Sequence, residues 1–293
     1  MLSLFIAALP ALFMWEYASV KVNLRLPKAA RKRLFKLGGR FALLALVIEL
    51  AEDLIPLREL SPLMHAFLQA MFIAAIPEEL VKFAAVNKFG KRELDETGPG
   101  IAILLAVGAS LGFAVFENKL DVLSGGFGVW LVRAVTAVPM HAIDGFTMGS
   151  FMALAWRDYR GTDYRMMALA LIVPMLFHFS YDFLLFLHQY NPALIWPTKL
   201  EPAVMLVEGL FAMILTNHAV NGQTAIYGHR EMTDPYGRRA LGLACVTLAI
   251  TILFLALDLK FHNAASFAMF ATVPAVLTLD LGLLAYVRST VPA

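Results

Sequence analysis

A chain of 293 residues with 60% hydrophobic and only 16% charged side chains cannot present a water-facing surface all round, because soluble domains carry about 25% charged residues. Its 24 lysines and arginines nearly cancel its 22 aspartates and glutamates, and no nucleic-acid partner is expected. The one cysteine, Cys245, excludes an intramolecular disulfide and is given no role.

Apolar runs long enough to span a bilayer recur along the chain. Read from the N-terminus they cover roughly 2–19, 41–57, 62–87, 99–120, 128–156, 166–188, 200–220, 240–259 and 264–287. The first run has no basic stretch before it, which predicts a retained helix rather than a cleaved signal. Eight cations follow in residues 21–40, a basic loop suited to an anionic leaflet. Further cations follow the third, fifth, seventh and ninth runs: Lys88, Lys91 and Arg92; Arg157, Arg160 and Arg165; Arg230, Arg238 and Arg239; and Arg288. The alternate loops hold only Arg58, Lys119, Lys199 and Lys260, so the bias is 18 against four. By the positive-inside rule the N-terminus lies outside and the C-terminus in the cytoplasm. No repeat, low-complexity tract or soluble insertion interrupts the pattern. Backbone polar groups in lipid must pair within their own segment. The expected fold is therefore all-α: one integral membrane domain over 1–293, a polytopic helical bundle of eight to nine spans. The expected location is a cytoplasmic (inner) membrane of bacterial type, with the lipid bilayer as first partner.

Ionisable side chains at mid-span cost about 2.5–3.5 kcal/mol each on insertion scales. Here they gather in four consecutive runs. The third carries Pro77-Glu78-Glu79-Leu80-Val81-Lys82, the fourth Phe113-Ala114-Val115-Phe116-Glu117-Asn118, the fifth Arg133, His141 and Asp144, and the sixth His178 and Asp182. Glu78 and Glu79 stand four and three residues before Lys82, so one cation can offset two carboxylates on one helix face. Asp182 follows His178 by four and can orient its imidazole. Arg133, His141, Gly145 and Gly149 form a stripe at spacings of four and eight, small at one end; Gly108 and Gly112 repeat that feature and predict close helix approach. Pro77, Pro139 and Pro174 stand just before Glu78, His141 and His178 and predict kinks around a hydrated cavity.

Two histidines and three glutamates in a bilayer suit one of two chemistries. They can hold a divalent metal such as zinc, which accepts imidazole nitrogen and carboxylate oxygen and keeps a position open for water. Alternatively, a glutamate can activate water directly while histidines stabilise the oxyanion. Either leads to hydrolysis of a peptide bond in or near the membrane. Blander roles exist for each: a structural ion pair for Glu78, Glu79 and Lys82, an interfacial place for Asn118, an ion pair for Arg133. Buried acid–histidine sets also serve as proton relays in transporters or channels, and a non-catalytic membrane scaffold is a third reading.

In order and spacing, four elements resemble the PrsW family of intramembrane proteases: Glu78-Glu79-x-x-Lys82, Phe113-x-x-x-Glu117-Asn118, Arg133 followed by His141-x-x-x-Gly145-x-x-x-Gly149, and His178-x-x-Tyr181-Asp182. The resemblance covers about residues 70–185, the expected catalytic core, and extends to the CAAX-processing and bacteriocin-immunity proteases. It implies a peptidase acting on a single-span membrane protein, such as an anti-sigma factor, by a first cut on the outer side. It implies that Glu78 and Glu79 activate water. Glu117, His141 and His178 become metal ligands or oxyanion stabilisers, with Lys82, Asn118, Arg133 and Asp182 in support. Zinc is the implied metal, and a metal-independent glutamate mechanism stands beside it.

Overall fold

The structure, a computed structural model, describes residues 2–22, 24, 26–51, 60–97, 100–157, 162–227, 239–240, 242–252 and 272–290. Every regular element among them is helical: α1 (Leu2–Val22), α2 (Lys28–Ala51), α3 (Pro62–Leu68), a π-helical segment (Gln69–Ala75), α4 (Ile76–Thr97), α5 (Ile101–Val135), α6 (Ala137–Ala155), α7 (Tyr164–Tyr190), α8 (Trp196–Tyr227), α9 (Gly242–Ile252) and α10 (Thr272–Thr290). Three described helices are long and apolar enough to cross a membrane: Ile101–Asp121, Tyr164–Tyr190 and Trp196–Val220. Parts of the expected second, eighth and ninth spans (52–57, 253–259 and 264–271) lie outside the described residues. Most of the expected basic loop is helix instead, since α2 begins at Lys28.

The bundle is built around α6. Every residue of that helix except Leu154 is buried, as expected of a helix enclosed on all sides by others. The outer helices α7 and α8 instead expose large apolar side chains, among them Ile172, Leu176, Val207 and Ile214. Those faces suit lipid tails, which are as apolar as the side chains themselves.

Glycines set how closely the inner helices approach. A Cβ on Gly149 would lie 2.5 Å from Ile103 Cα, and one on Gly145 would lie 2.8 Å from Val107 Cα. Contacts that step forward on α6 and backward on α5 make the pair antiparallel. At the crossing of α2 with α5, a Cβ on Gly112 would lie 2.5 Å from the Phe35 carbonyl oxygen, and Gly38 meets Ala109 just as tightly.

One expectation changes. The stripe from Arg133 to Gly149 does not lie on one helix, because Thr136 leaves helical geometry (φ −119°, ψ −82°) and separates α5 from α6. In addition, α5 cannot be straight. Fifteen residues of straight helix rise about 22 Å, yet Arg133 Nε donates to Asn118 Oδ1 at 2.8 Å. The helical run therefore doubles back between them, where the sequence offers Gly125, Gly126 and Gly128. This reversal falls where the charge and hydropathy pattern separates the fourth and fifth runs.

The prolines act differently from one another. Pro139 is the third residue of α6, a first-turn position where the missing N–H costs little, whereas Pro77, the second residue of α4, follows the π-helical segment without a break. Pro174 is interior to its helix, as Pro10 is to α1 and Pro202 to α8. Before Pro77, the backbone widens into the π-helical segment, whose end is marked by Ile76 N–H donating to Met71 O, five residues back. The inserted residue turns the face of α4 relative to α3, so that Glu78 and Glu79 point inward.

Candidate active site

Glu78, Glu79 and Lys82 lie on the first two turns of α4 and are all buried. Lys82 Nζ donates to Glu79 Oε1 at 2.7 Å and to Glu78 Oε2 at 3.2 Å. It also lies 3.1 Å from His141 Nδ1 and 4.4 Å from the centroid of the Phe113 ring. An ammonium only donates, so Nδ1 of His141 is the acceptor. The other nitrogen, Nε2, then carries the proton and donates to Glu117 Oε2 at 2.7 Å.

Glu117 is held from the returning limb of α5. Arg133 Nη2 pairs with Glu117 Oε2 at 3.2 Å and Nη1 with Asp121 Oδ2 at 2.9 Å, while Nε donates to buried Asn118. Asn118 is thus enclosed by the bundle and bonded within it. Glu117 Oε1 makes no hydrogen bond with the described residues, and its side chain stays 24% exposed, where that of Glu78 is 4% exposed.

His178, on α7, faces carboxylates with both nitrogens. Nδ1 lies 2.9 Å from Glu79 Oε1 and 3.8 Å from Asp144 Oδ2; Nε2 lies 3.2 Å from Asp182 Oδ2 and 3.7 Å from Glu78 Oε2. The rings of His141 and His178 meet edge to face at 5.5 Å. All nine residues singled out from the sequence thus form one connected set across α4, α5, α6 and α7. Asp144 joins them and Asp121 holds Arg133, although neither was counted among the site residues. Their signal was spacing, since Asp144 follows His141 by three and Asp121 follows Glu117 by four.

A cavity of about 350 Å³ opens onto this set, walled by Glu78, Glu117, Arg133, His141, His178 and Asp182 among others. Gln69, from the π-helical segment, joins the wall and bonds Tyr190. Glu79 is not part of that wall. It lies behind it, fully buried, bonded to Lys82 and His178.

The donor chemistry fits a cation. Glu78, His141 and His178 each offer a ligand atom, all within 4.8 Å of one another, and Glu79, Asp144 and His178 do the same. Imidazole and carboxylate are zinc's donors. If the Nδ1–H of a neutral His178 donates to Glu79, its Nε2 lone pair confronts the oxygens of Glu78 and Asp182, acceptor against acceptor. A shared proton or a cation reconciles them. Glu79 Oε2 and Asp144 Oδ1 are buried without a hydrogen-bond partner among the described residues, a shortage of positive charge that native interiors seldom leave unanswered. Glu117 lies outside both groups of three.

The family described as PrsW family intramembrane metalloprotease matches residues 27–216. The chain belongs to the PrsW family. It is similar to the protein named Protease PrsW of Shouchella clausii, at 33% identity over 192 residues, covering 63% of this chain and 84% of that one. The Protease PrsW of Oceanobacillus iheyensis is 30% identical over 188 residues with the same coverage, and that of Bacillus subtilis 34% identical over 122 residues, 41% of this chain and 53% of its own. No solved structure gives a significant match. Like its PrsW relatives, the chain is a membrane peptidase, and every site residue falls inside the matched segment.

Proposed function

We propose that this PrsW-family peptidase hydrolyses a peptide bond of a single-span, membrane-anchored protein, an anti-sigma factor being the class that the resemblance suggests. The observation that carries the reading is the convergence of His141 and His178 with the carboxylates of Glu78, Glu117 and Asp182 on one buried cavity. We further propose about nine spans (eight to nine) in a cytoplasmic membrane, with the N-terminus outside and the C-terminus in the cytoplasm, on the strength of the loop charges.

The residues divide the work. Glu78, His178 through Nε2, and His141 through Nδ1 once Lys82 Nζ gives up its contact with that nitrogen, are the donors for a metal, with zinc the ion that suits them. Bound there, zinc would act as a Lewis acid on the scissile carbonyl. Glu117 and Glu79 each take the opposite nitrogen of one histidine, as carboxylates behind metal-binding imidazoles do. Glu117 also has a second role. It lines the cavity, and its Oε2 is held by Arg133. It accepts the proton of the attacking water and returns it to the leaving amine. Lys82 balances the charge of Glu78 and Glu79. Asp182 steadies His178, and Asn118 steadies Arg133.

The test uses the full chain in lipid nanodiscs, with cleavage of a single-span reporter and metal content by elemental mass spectrometry. Glu78→Gln and His178→Ala should lose both metal and cleavage. Glu117→Gln should keep the metal and lose cleavage by about a hundredfold to ten-thousandfold, the range for general acid–base catalysis. Wild-type turnover in Glu117→Gln would remove its assigned role. Undiminished cleavage by metal-free protein would remove the metal.

A further inference from the structure

A second cavity, of about 430 Å³, adjoins the first. The two share Asp121, Arg133, Tyr181 and Leu185 in their walls, so one side of the Arg133 ion-pair cluster faces the reactive groups and the other faces this second space. Its far wall comes from α8, with Thr198, Glu201 and Pro202. Its volume lies in the range of sites that hold ligands, about 300–1,000 Å³.

The charges in this space are unequal. Asp121 pairs at 2.9 Å with Arg133, a cation it shares with Glu117. Glu201 is only half-buried and makes no hydrogen bond or ion pair with the described residues. It stands two turns into α8, above the exposed Trp196, an aromatic residue of the kind that marks a membrane–water interface. A carboxylate at that depth, facing a cavity with no described cation in hydrogen-bond or ion-pair contact, has room to receive one.

Resting on the peptidase reading above, we propose that this second cavity is a specificity subsite that takes a lysine or arginine side chain of the substrate, with Glu201 as its counter-charge. The spacing fits an extended substrate. Tyr181 and Leu185 lie three and seven residues beyond His178, about 4.5 and 10 Å along the helix. An extended chain advances about 3.3 Å per residue, so the basic side chain belongs about three residues from the bond that is cut.

The experiment compares single-span substrates carrying Lys, Gln or Glu at each position two to five residues on either side of the cut. Cleavage by the wild-type chain in nanodiscs should favour Lys over Glu at one of these positions by about tenfold in kcat/KM, the ratio given by ~1.4 kcal/mol. In Glu201→Gln the preference should shrink to within about threefold, through KM with kcat unchanged, and Glu201→Lys should invert it. Equal treatment of Lys and Glu by the wild type at every position, or the wild-type preference persisting in both variants, overturns the subsite. Equilibrium binding of the same substrates to the Glu78→Gln chain, with and without Glu201→Gln, measures the same preference without cleavage. A Lys preference in binding that Glu201→Gln abolishes supports the subsite even where the peptidase reading fails, and its absence overturns the subsite even where cleavage is observed.

Discussion

Replacing Lys82 by methionine removes one ammonium from beneath two carboxylates. In the structure that ammonium serves Glu79 at 2.7 Å and Glu78 at 3.2 Å, with all three side chains at most 4% exposed. Methionine fills most of the space beside Phe113, so packing changes little and the effect is electrostatic. A hydrogen bond to a charged group is worth about 1.5–3 kcal/mol, and breaking a buried ion pair by removing one partner costs about 3–5 kcal/mol. The expected loss for Lys82→Met is therefore about 4 kcal/mol, roughly a thousandfold in the folded-to-unfolded ratio. Unfolding in mixed micelles, followed by circular dichroism, measures it. The sharper readout is the double-mutant cycle. Glu79→Gln alone should also destabilise, because it weakens the bonds to Lys82 and His178. Combined with Lys82→Met it should cost about 1–3 kcal/mol less than the two losses summed, the coupling of groups in one network. A Lys82→Met protein within about 1 kcal/mol of wild type, or strict additivity in the cycle, would refute the claim that this cation holds the carboxylate pair in place.

Gly149→Ala should cost about 1–3 kcal/mol in the same assay, because its Cβ would meet the Ile103 backbone at 2.5 Å and force α5 and α6 apart. Gly209→Ala meets only Ile143 Cδ1 at 3.5 Å and should stay within about 0.5 kcal/mol of wild type. Asp280→Ala removes the buried carboxylate that ties α10 to Lys21 and Tyr17 on α1, at 2.5 and 2.7 Å. It should cost about 3–5 kcal/mol and raise hydrogen exchange in α1 and α10 before the four site helices. Arg133→Gln releases Glu117 and Asp121 together and should lower kcat about tenfold to a hundredfold with the unfolding midpoint little changed. An unchanged kcat would separate Arg133 from the active carboxylate.

Local and periodic features were legible in the chain before any fold was known. Runs of apolar residues define helices, and ionisable residues within them are too costly to be incidental. Spacing of three or four on one helix already joined Glu78 and Glu79 to Lys82, and His178 to Asp182, because such residues share a face whatever the helix packs against. Everything that crosses between helices was set by the tertiary packing. Whether His141 meets Glu117, or His178 meets Glu79, depends on how each helix is rotated and how closely it approaches its neighbour. One residue of rotation turns a side chain by about 100°, which the π-helical segment before Glu78 supplies and no periodicity announces. The doubling back of α5 brings Arg133 from 15 residues away to Asn118, a contact that a straight helix forbids. Asp144 entered the site the same way, carried there by a buried helix whose glycines let α5 come within backbone distance.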